Sequence, residues 1–123
     1  MLARIRRHTV SFKHAAEGII YTFKSQPNFR FHTIAMICVI LAGIYFEISY
    51  FEWLALIFTF NMVLVSEMVN TAIESVVDLV TKEIRVEAKI AKDVAAGMVL
   101  VSAVCAIAIG IYIFLPKILL SIS

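Results

Sequence analysis

Three carboxylates and one amide recur along Ser66-Glu67-Met68-Val69-Asn70-Thr71-Ala72-Ile73-Glu74-Ser75-Val76-Val77-Asp78. At about 100° per residue, with Glu67 at zero, Asn70 falls near −60°, Glu74 near −20° and Asp78 near +20°. The four side chains therefore share one arc of roughly 80° on a single helix. They spread over about 16 Å of its axis. Carboxylates in such a row can hold Mg²⁺ through one or two oxygens while phosphate oxygens complete the octahedron. A deeper carboxylate can take the proton of a hydroxyl. With basic residues to neutralise charge, these are the parts that phosphoryl transfer requires.

The surroundings restrict where such a row can lie. The run leading in, residues 53–65, is apolar and reads as part of a membrane-spanning helix. An acidic residue at the bilayer centre costs about 2.5–3.5 kcal/mol on the lenient insertion scale, so three would cost roughly 8–10. Eight apolar residues between Leu54 and Val65 return only roughly 2–5 kcal/mol. The deficit closes if the acids lie toward one membrane surface, line a wet cleft, or meet polar partners in a bundle. An intramembrane row of this kind marks a functional site by default. The competing reading is polar glue between helices.

The elements that must position the row follow from hydropathy. Of the 123 residues 62% are hydrophobic, well above the globular norm of about 45–50%, and the long apolar runs point to membrane insertion. The fold expected is all-α and integral to the membrane, a single domain with an N-terminal amphipathic surface helix and three transmembrane helices. Residues 1–24 carry Ile5, Phe12, Ala16, Ile19, Ile20 and Phe23 at helical spacing, with Arg and Lys between them. Such a helix suits an anionic membrane surface. Gln26-Pro27-Asn28 breaks it. Spans are expected over 31–50, 53–79 and 94–115, the last ended by Pro116. Ala96, Ala103, Ala106 and Gly110 lay a small-residue stripe suited to close helix packing. No short apolar leader of the signal-peptide kind precedes the first span.

Orientation follows from the basic residues. Six Lys/Arg precede the first span and four (Lys82, Arg85, Lys89 and Lys92) lie in the polar segment 81–93. The connector between the first two spans has none. The positive-inside rule therefore predicts a multi-pass membrane protein with the N-terminus and the 81–93 segment cytoplasmic and the C-terminus outside. Asp78 then lies near the cytoplasmic surface and Glu67 deeper.

Other candidates are weighed on their own residues. Lys92-Asp93 is expected at the start of the third helix, where free N–H groups and the positive dipole end favour an anion. The alternatives are an ordinary N-cap for Asp93 and a snorkelling charge for Lys92. Arg7 and Arg85 could neutralise phosphate. His8, His14 and His32 lack metal-ligand spacing and read as surface or interfacial residues. Cys38 and Cys105 fall inside apolar runs and read as core packing. No phosphate-loop or soluble-kinase signature occurs, and nothing points to nucleic acid.

Glu67-x-x-Asn70-x-x-x-Glu74-x-x-x-Asp78, followed by Ala88-Lys89-Ile90-Ala91-Lys92-Asp93-Val94-Ala95-Ala96-Gly97, closely resembles the prokaryotic diacylglycerol kinase/undecaprenol kinase family. Phe12-Lys13-His14-Ala15-Ala16-Glu17-Gly18-Ile19 and Asn28-Phe29-Arg30-Phe31-His32 fit its amphipathic-helix region, so the resemblance covers nearly the whole chain. It implies a homotrimer of three-span protomers with sites between subunits, transferring the ATP γ-phosphate to a membrane lipid alcohol with Mg²⁺. It also implies Glu67 as general base and Glu74 as a metal ligand, with Asn70, Asp78, Lys92 and Asp93 around the nucleotide. Glu83 and Arg7 would be further nucleotide contacts. Asn70-Thr71-Ala72-Ile73-Glu74 and the ending Ile113-Phe114-Leu115-Pro116-Lys117 look more like the undecaprenol-using branch than the diacylglycerol branch.

One position departs from the pattern. Where the family carries a metal-binding Glu, this chain has Gln26, which can offer a carbonyl oxygen but removes one negative charge. Weaker Mg²⁺ binding is the expectation. The alternatives to a lipid kinase are a catalytically weakened member, a non-enzymatic oligomeric ion or proton relay, and a purely structural membrane subunit.

Overall fold

The computed structural model describes residues 2–122, with side chains from Ser11 to Ile122. Four helices follow one another: α1 Leu2–Ser25, α2 Pro27–Tyr45, α3 Tyr50–Val80 and α4 Val86–Ile122, and no strand occurs among the described residues. The fold is that of an all-α integral membrane protein: α2, α3 and α4 are each long and apolar enough to cross a membrane. At about 1.5 Å per residue, α3 and α4 run roughly 46 and 55 Å, well past a hydrocarbon core of about 30 Å. Both therefore carry polar ends beyond the lipid.

Helix α1 stops where expected, and for the expected reason. Proline disfavours the helical region for the residue before it, and Gln26 is extended at φ −107°, ψ 109° with Pro27 opening α2. The interruption is one residue long. Arg30 bridges it, its guanidinium donating to the carbonyls of Phe23 (3.2 Å) and Lys24 (2.8 Å) that α1 leaves free at its end. Phe23 meets the buried Phe29 edge to face at 6.4 Å.

The α2–α3 turn is closed by local chemistry. Glu47 takes the left-handed conformation (φ 48°). Ile48 N–H bonds Gly43 O at 3.1 Å and Glu47 N–H bonds Ile44 O at 3.3 Å, the two bonds of a Schellman ending. Ser49 then starts α3 with a capping box, its backbone N–H donating to Glu52 Oε2 (2.6 Å) and its hydroxyl accepting from Glu52 N–H (3.3 Å). Glu52 also meets Lys117 of α4 at 3.4 Å. Beneath this end Ile48, Leu56 and Ile113 form the apolar core. Gly43 is required there, because a Cβ on it would stand 2.7 Å from the Trp53 ring.

Helix α4 packs most extensively on α3, and α2 packs on α3 as well. Hydroxyls inside the spans satisfy themselves on their own helices: Thr59 donates to Ala55 O, Thr71 to Glu67 O and Ser102 to Met98 O.

Four expectations need correction. Pro116 does not end the third span; it lies inside α4, which continues to Ile122. Proline is tolerated in spanning helices where neighbours re-satisfy the freed backbone, and the Lys117–Glu52 pair holds this segment to α3. At its other end α4 begins at Val86, so the polar segment 81–93 shrinks to residues 81–85 and the rest is helix. Cys38 and Cys105 are free and exposed on the helix bundle, not packed in its core. Within the protomer the small-residue stripe does not lie against a neighbouring helix along its whole length: Ala96 is exposed while Ala95 is buried, and a Cβ on Gly110 would meet nothing.

Candidate functional site

The ladder forms on α3 as its spacing predicts, and it is graded. Glu67 is 1% exposed and Asn70 7%, Glu74 is half-buried and Asp78 exposed. Asn70 Nδ2 donates to Glu74 Oε1 at 3.0 Å, one turn along the helix. Glu67 Oε1 and Asn70 Oδ1 are buried without a hydrogen-bond partner among the described residues. Buried polar groups are rarely left so, and each such atom calls for a physical explanation.

The exposed end of the ladder reaches the start of α4. Lys92 Nζ donates to Asp78 Oδ1 at 2.6 Å, joining two helices across fourteen positions of sequence. A cavity of about 290 Å³ opens there, and Asp78, Lys82, Glu83, Arg85, Lys89, Lys92 and Asp93 line it. Four residues expected around a nucleotide (Asp78, Glu83, Lys92 and Asp93) thus share one hollow. Glu83 pairs with Arg85 at 3.1 Å.

Lys92 and Asp93 are not at a helix start. Seven residues into α4, their N–H groups lie beyond the first-turn set that is free to bind an anion. Asp93 is not an N-cap either; its carboxylate accepts from Lys89 one turn before it. What the two residues offer the hollow is side-chain charge.

Gln26 stands at the α1–α2 junction, and its side chain makes no cap bond to α2. It shares no hydrogen bond with Glu74 among the described residues, and no group of three or more His, Cys, Asp or Glu side chains there could hold a metal ion alone. The side chain of Arg7 lies outside the described residues.

His32 is the residue that sequence reasoning misplaced. Its side chain is only 20% exposed, and Nε2 lies 3.5 Å from Glu67 Oε1. No periodicity could have revealed this, because the two residues sit on different helices. His32 also borders an apolar groove of about 390 Å³ with α3 as its floor and α2 and α4 as its walls. Ala103, Ala106 and Gly110 of the small-residue stripe keep the α4 wall low.

Comparison with known proteins places the chain in a family. The chain is 42% identical over 113 residues to an undecaprenol kinase of Bacillus subtilis, covering 92% of each chain. It is 42% identical over 111 residues to a diacylglycerol kinase of Synechocystis, covering 89% of this chain and 63% of that one. The sequence profile of the prokaryotic diacylglycerol kinases matches residues 13–114, which takes in the ladder, Lys92-Asp93 and the α1–α2 junction. The chain belongs to the prokaryotic diacylglycerol kinase family.

Proposed function

We propose that this protein transfers the γ-phosphate of ATP to the hydroxyl of a membrane lipid alcohol, with Glu67 as the base and undecaprenol favoured over diacylglycerol. The observation that carries the reading is the graded ladder, which runs from a buried carboxylate oxygen without a hydrogen bond, next to the His32 that borders an apolar groove, to a charged hollow at the exposed end. An amphipathic alcohol and a polyanionic nucleotide need just such opposite surroundings.

In the transfer, Glu67 takes the hydroxyl proton. The lipid oxygen forms its bond to the γ-phosphorus with a lone pair, and the bond from that phosphorus to the β–γ bridging oxygen breaks, its electrons leaving with ADP. Lys92 draws phosphate charge into the hollow, and Asp78 fixes the ammonium there. Asp93 and Glu83 position Lys89 and Arg85 in the same way. Asn70 orients the Glu74 carboxylate through its amide. Arg7 would add a basic contact from α1.

A magnesium ion suits the donors present. Asn70 Oδ1 is buried without a hydrogen-bond partner among the described residues, Glu74 has a second carboxylate oxygen, and hard cations take oxygen ligands. Glu74 would hold it, with Gln26 contributing a carbonyl oxygen. When bound, the ion would neutralise charge on the β- and γ-phosphates. One or two protein oxygens plus phosphates suffice for Mg²⁺, so a three-ligand cluster is not required.

A homotrimer with sites shared between subunits is part of this reading. A lone protomer leaves broad apolar faces on all three spans. Asn61 is exposed in the middle of α3, and a polar side chain at that depth is better matched to another helix than to lipid tails. Membership of the family supports a location in the bacterial inner membrane, and the distribution of Lys and Arg supports an orientation with the N-terminus and residues 81–93 cytoplasmic and the C-terminus outside.

The test is a lipid panel. Purified protein with ATP and Mg²⁺ should phosphorylate undecaprenol faster than diacylglycerol. Faster diacylglycerol turnover would reverse the substrate preference, and no turnover of any lipid alcohol would end the reading.

A further inference from the structure

The α3 ladder leaves unexplained the polar side chain that faces it from α2. His32 Nε2 lies 3.5 Å from Glu67 Oε1, beyond the roughly 2.7–3.2 Å of a formed N–H···O bond, and that oxygen has no hydrogen-bond partner among the described residues. The two side chains are 20% and 2% exposed, so bulk water reaches the pair poorly. An imidazole nitrogen able to donate and a carboxylate oxygen able to accept are thus held next to each other, both shielded, without completing a bond between themselves.

The groove shows what arrives there. Its head is at Phe31 and His32, and it runs toward Val39 on α2, past Val63 to Leu56 on α3. From Phe31 to Val39 it extends about 12 Å along the helix axis. Of the described side chains bordering it only His32 and Thr59 are polar, and the Thr59 hydroxyl is already committed to Ala55 O. An apolar channel with one uncommitted polar group at its head suits a hydrocarbon chain ending in a polar atom.

We propose that His32 is a substrate-binding residue that, together with Glu67, holds the lipid hydroxyl, whose oxygen sits to one side of the line joining the two side chains and within reach of both. This rests on the reading of Glu67 as the base. The Nε2–H of the imidazole donates to the lipid oxygen, while that oxygen's own proton points to Glu67 Oε1. The second lone pair of the lipid oxygen stays free for the γ-phosphorus. His32 gains or loses no proton in the transfer. It fixes the direction of the O–H bond, so the proton leaves along the line to Glu67. The group recognised is a hydroxyl at the end of a hydrocarbon chain, isoprenoid or acyl.

Steady-state kinetics of the full-length protein in lipid bicelles test this, with undecaprenol and diacylglycerol as separate acceptors. His32→Met should lower kcat/KM for both alcohols by about tenfold or more, the loss expected for one hydrogen bond to the reacting group. The KM for ATP should stay within about twofold of the parent. His32→Gln, whose amide can reach the same place as a donor, should recover most of the loss. An unchanged lipid kcat/KM in His32→Met, a His32→Gln as impaired as His32→Met, or a loss confined to one alcohol would each overturn the proposal. Should His32→Met not fold, the parent decides. A deoxy analogue lacking the hydroxyl should then compete several-fold more weakly than the alcohol, and equal competition overturns the proposal. A Glu67→Gln variant as fast as the parent would instead remove the base reading on which the proposal stands.

Discussion

The two ends of the helix bundle are built to opposite rules. At the α2–α3 turn every local demand is met: the Schellman bonds close α2, the Ser49–Glu52 box opens α3, and Lys117 ties α4 to Glu52. Trp53 fills the space that Gly43 leaves. At the ladder end two buried oxygens lack hydrogen-bond partners among the described residues, an apolar groove stays open nearby, and charges line a hollow. Satisfied polar groups and filled volume hold a structure together. Unsatisfied ones can persist where a substrate completes them, and under the proposed function this contrast separates the end that holds the protein together from the end that would do chemistry.

Substitutions at each end should therefore move different observables. Glu67→Gln should have the largest effect, lowering lipid phosphorylation by about 10²–10⁴-fold, the usual contribution of a positioned base, while the melting temperature in detergent holds. A variant that loses stability in step with activity would blur the contrast. Gly43→Ala should do the reverse. With its Cβ at 2.7 Å from Trp53, overpacking should cost about 1–3 kcal/mol, read as a lower melting temperature with unchanged kcat per folded protein. At the hollow, Lys92→Met should raise the KM for ATP roughly tenfold, the order expected for one charged contact, and leave the KM for lipid unchanged. The smallest effect is expected of Gln26→Glu, which restores one negative charge near the proposed cation site. Half-maximal activity should then need a few-fold less Mg²⁺, and no shift would mean that position 26 is not a ligand.

Much of the ladder end could be read in advance because it is a local pattern. Positions 67, 70, 74 and 78 share a face wherever the segment is helical, since the helical repeat alone decides that. The spans were legible from hydropathy for the same reason. Helix limits were less so. Pro116 stops an isolated helix but not one held to Glu52 of a neighbour through Lys117. Lys89, Lys92 and Asp93 look like loop until their charges find partners, Lys92 on Asp78 and Lys89 on Asp93.

The amino-acid sequence by itself determined the number of spans, the acidic face of α3, the break before Pro27 and the family to which the chain belongs. All of these depend on neighbours a few residues apart or on motif spacing. Tertiary structure decided which side chain from another helix meets each rung: His32 beside Glu67, Lys92 on Asp78, Trp53 over Gly43. It also left the groove open by setting α2 and α4 on either side of α3. Periodicity places side chains on the faces of one helix, but the meeting of two helices depends on how their side-chain volumes pack.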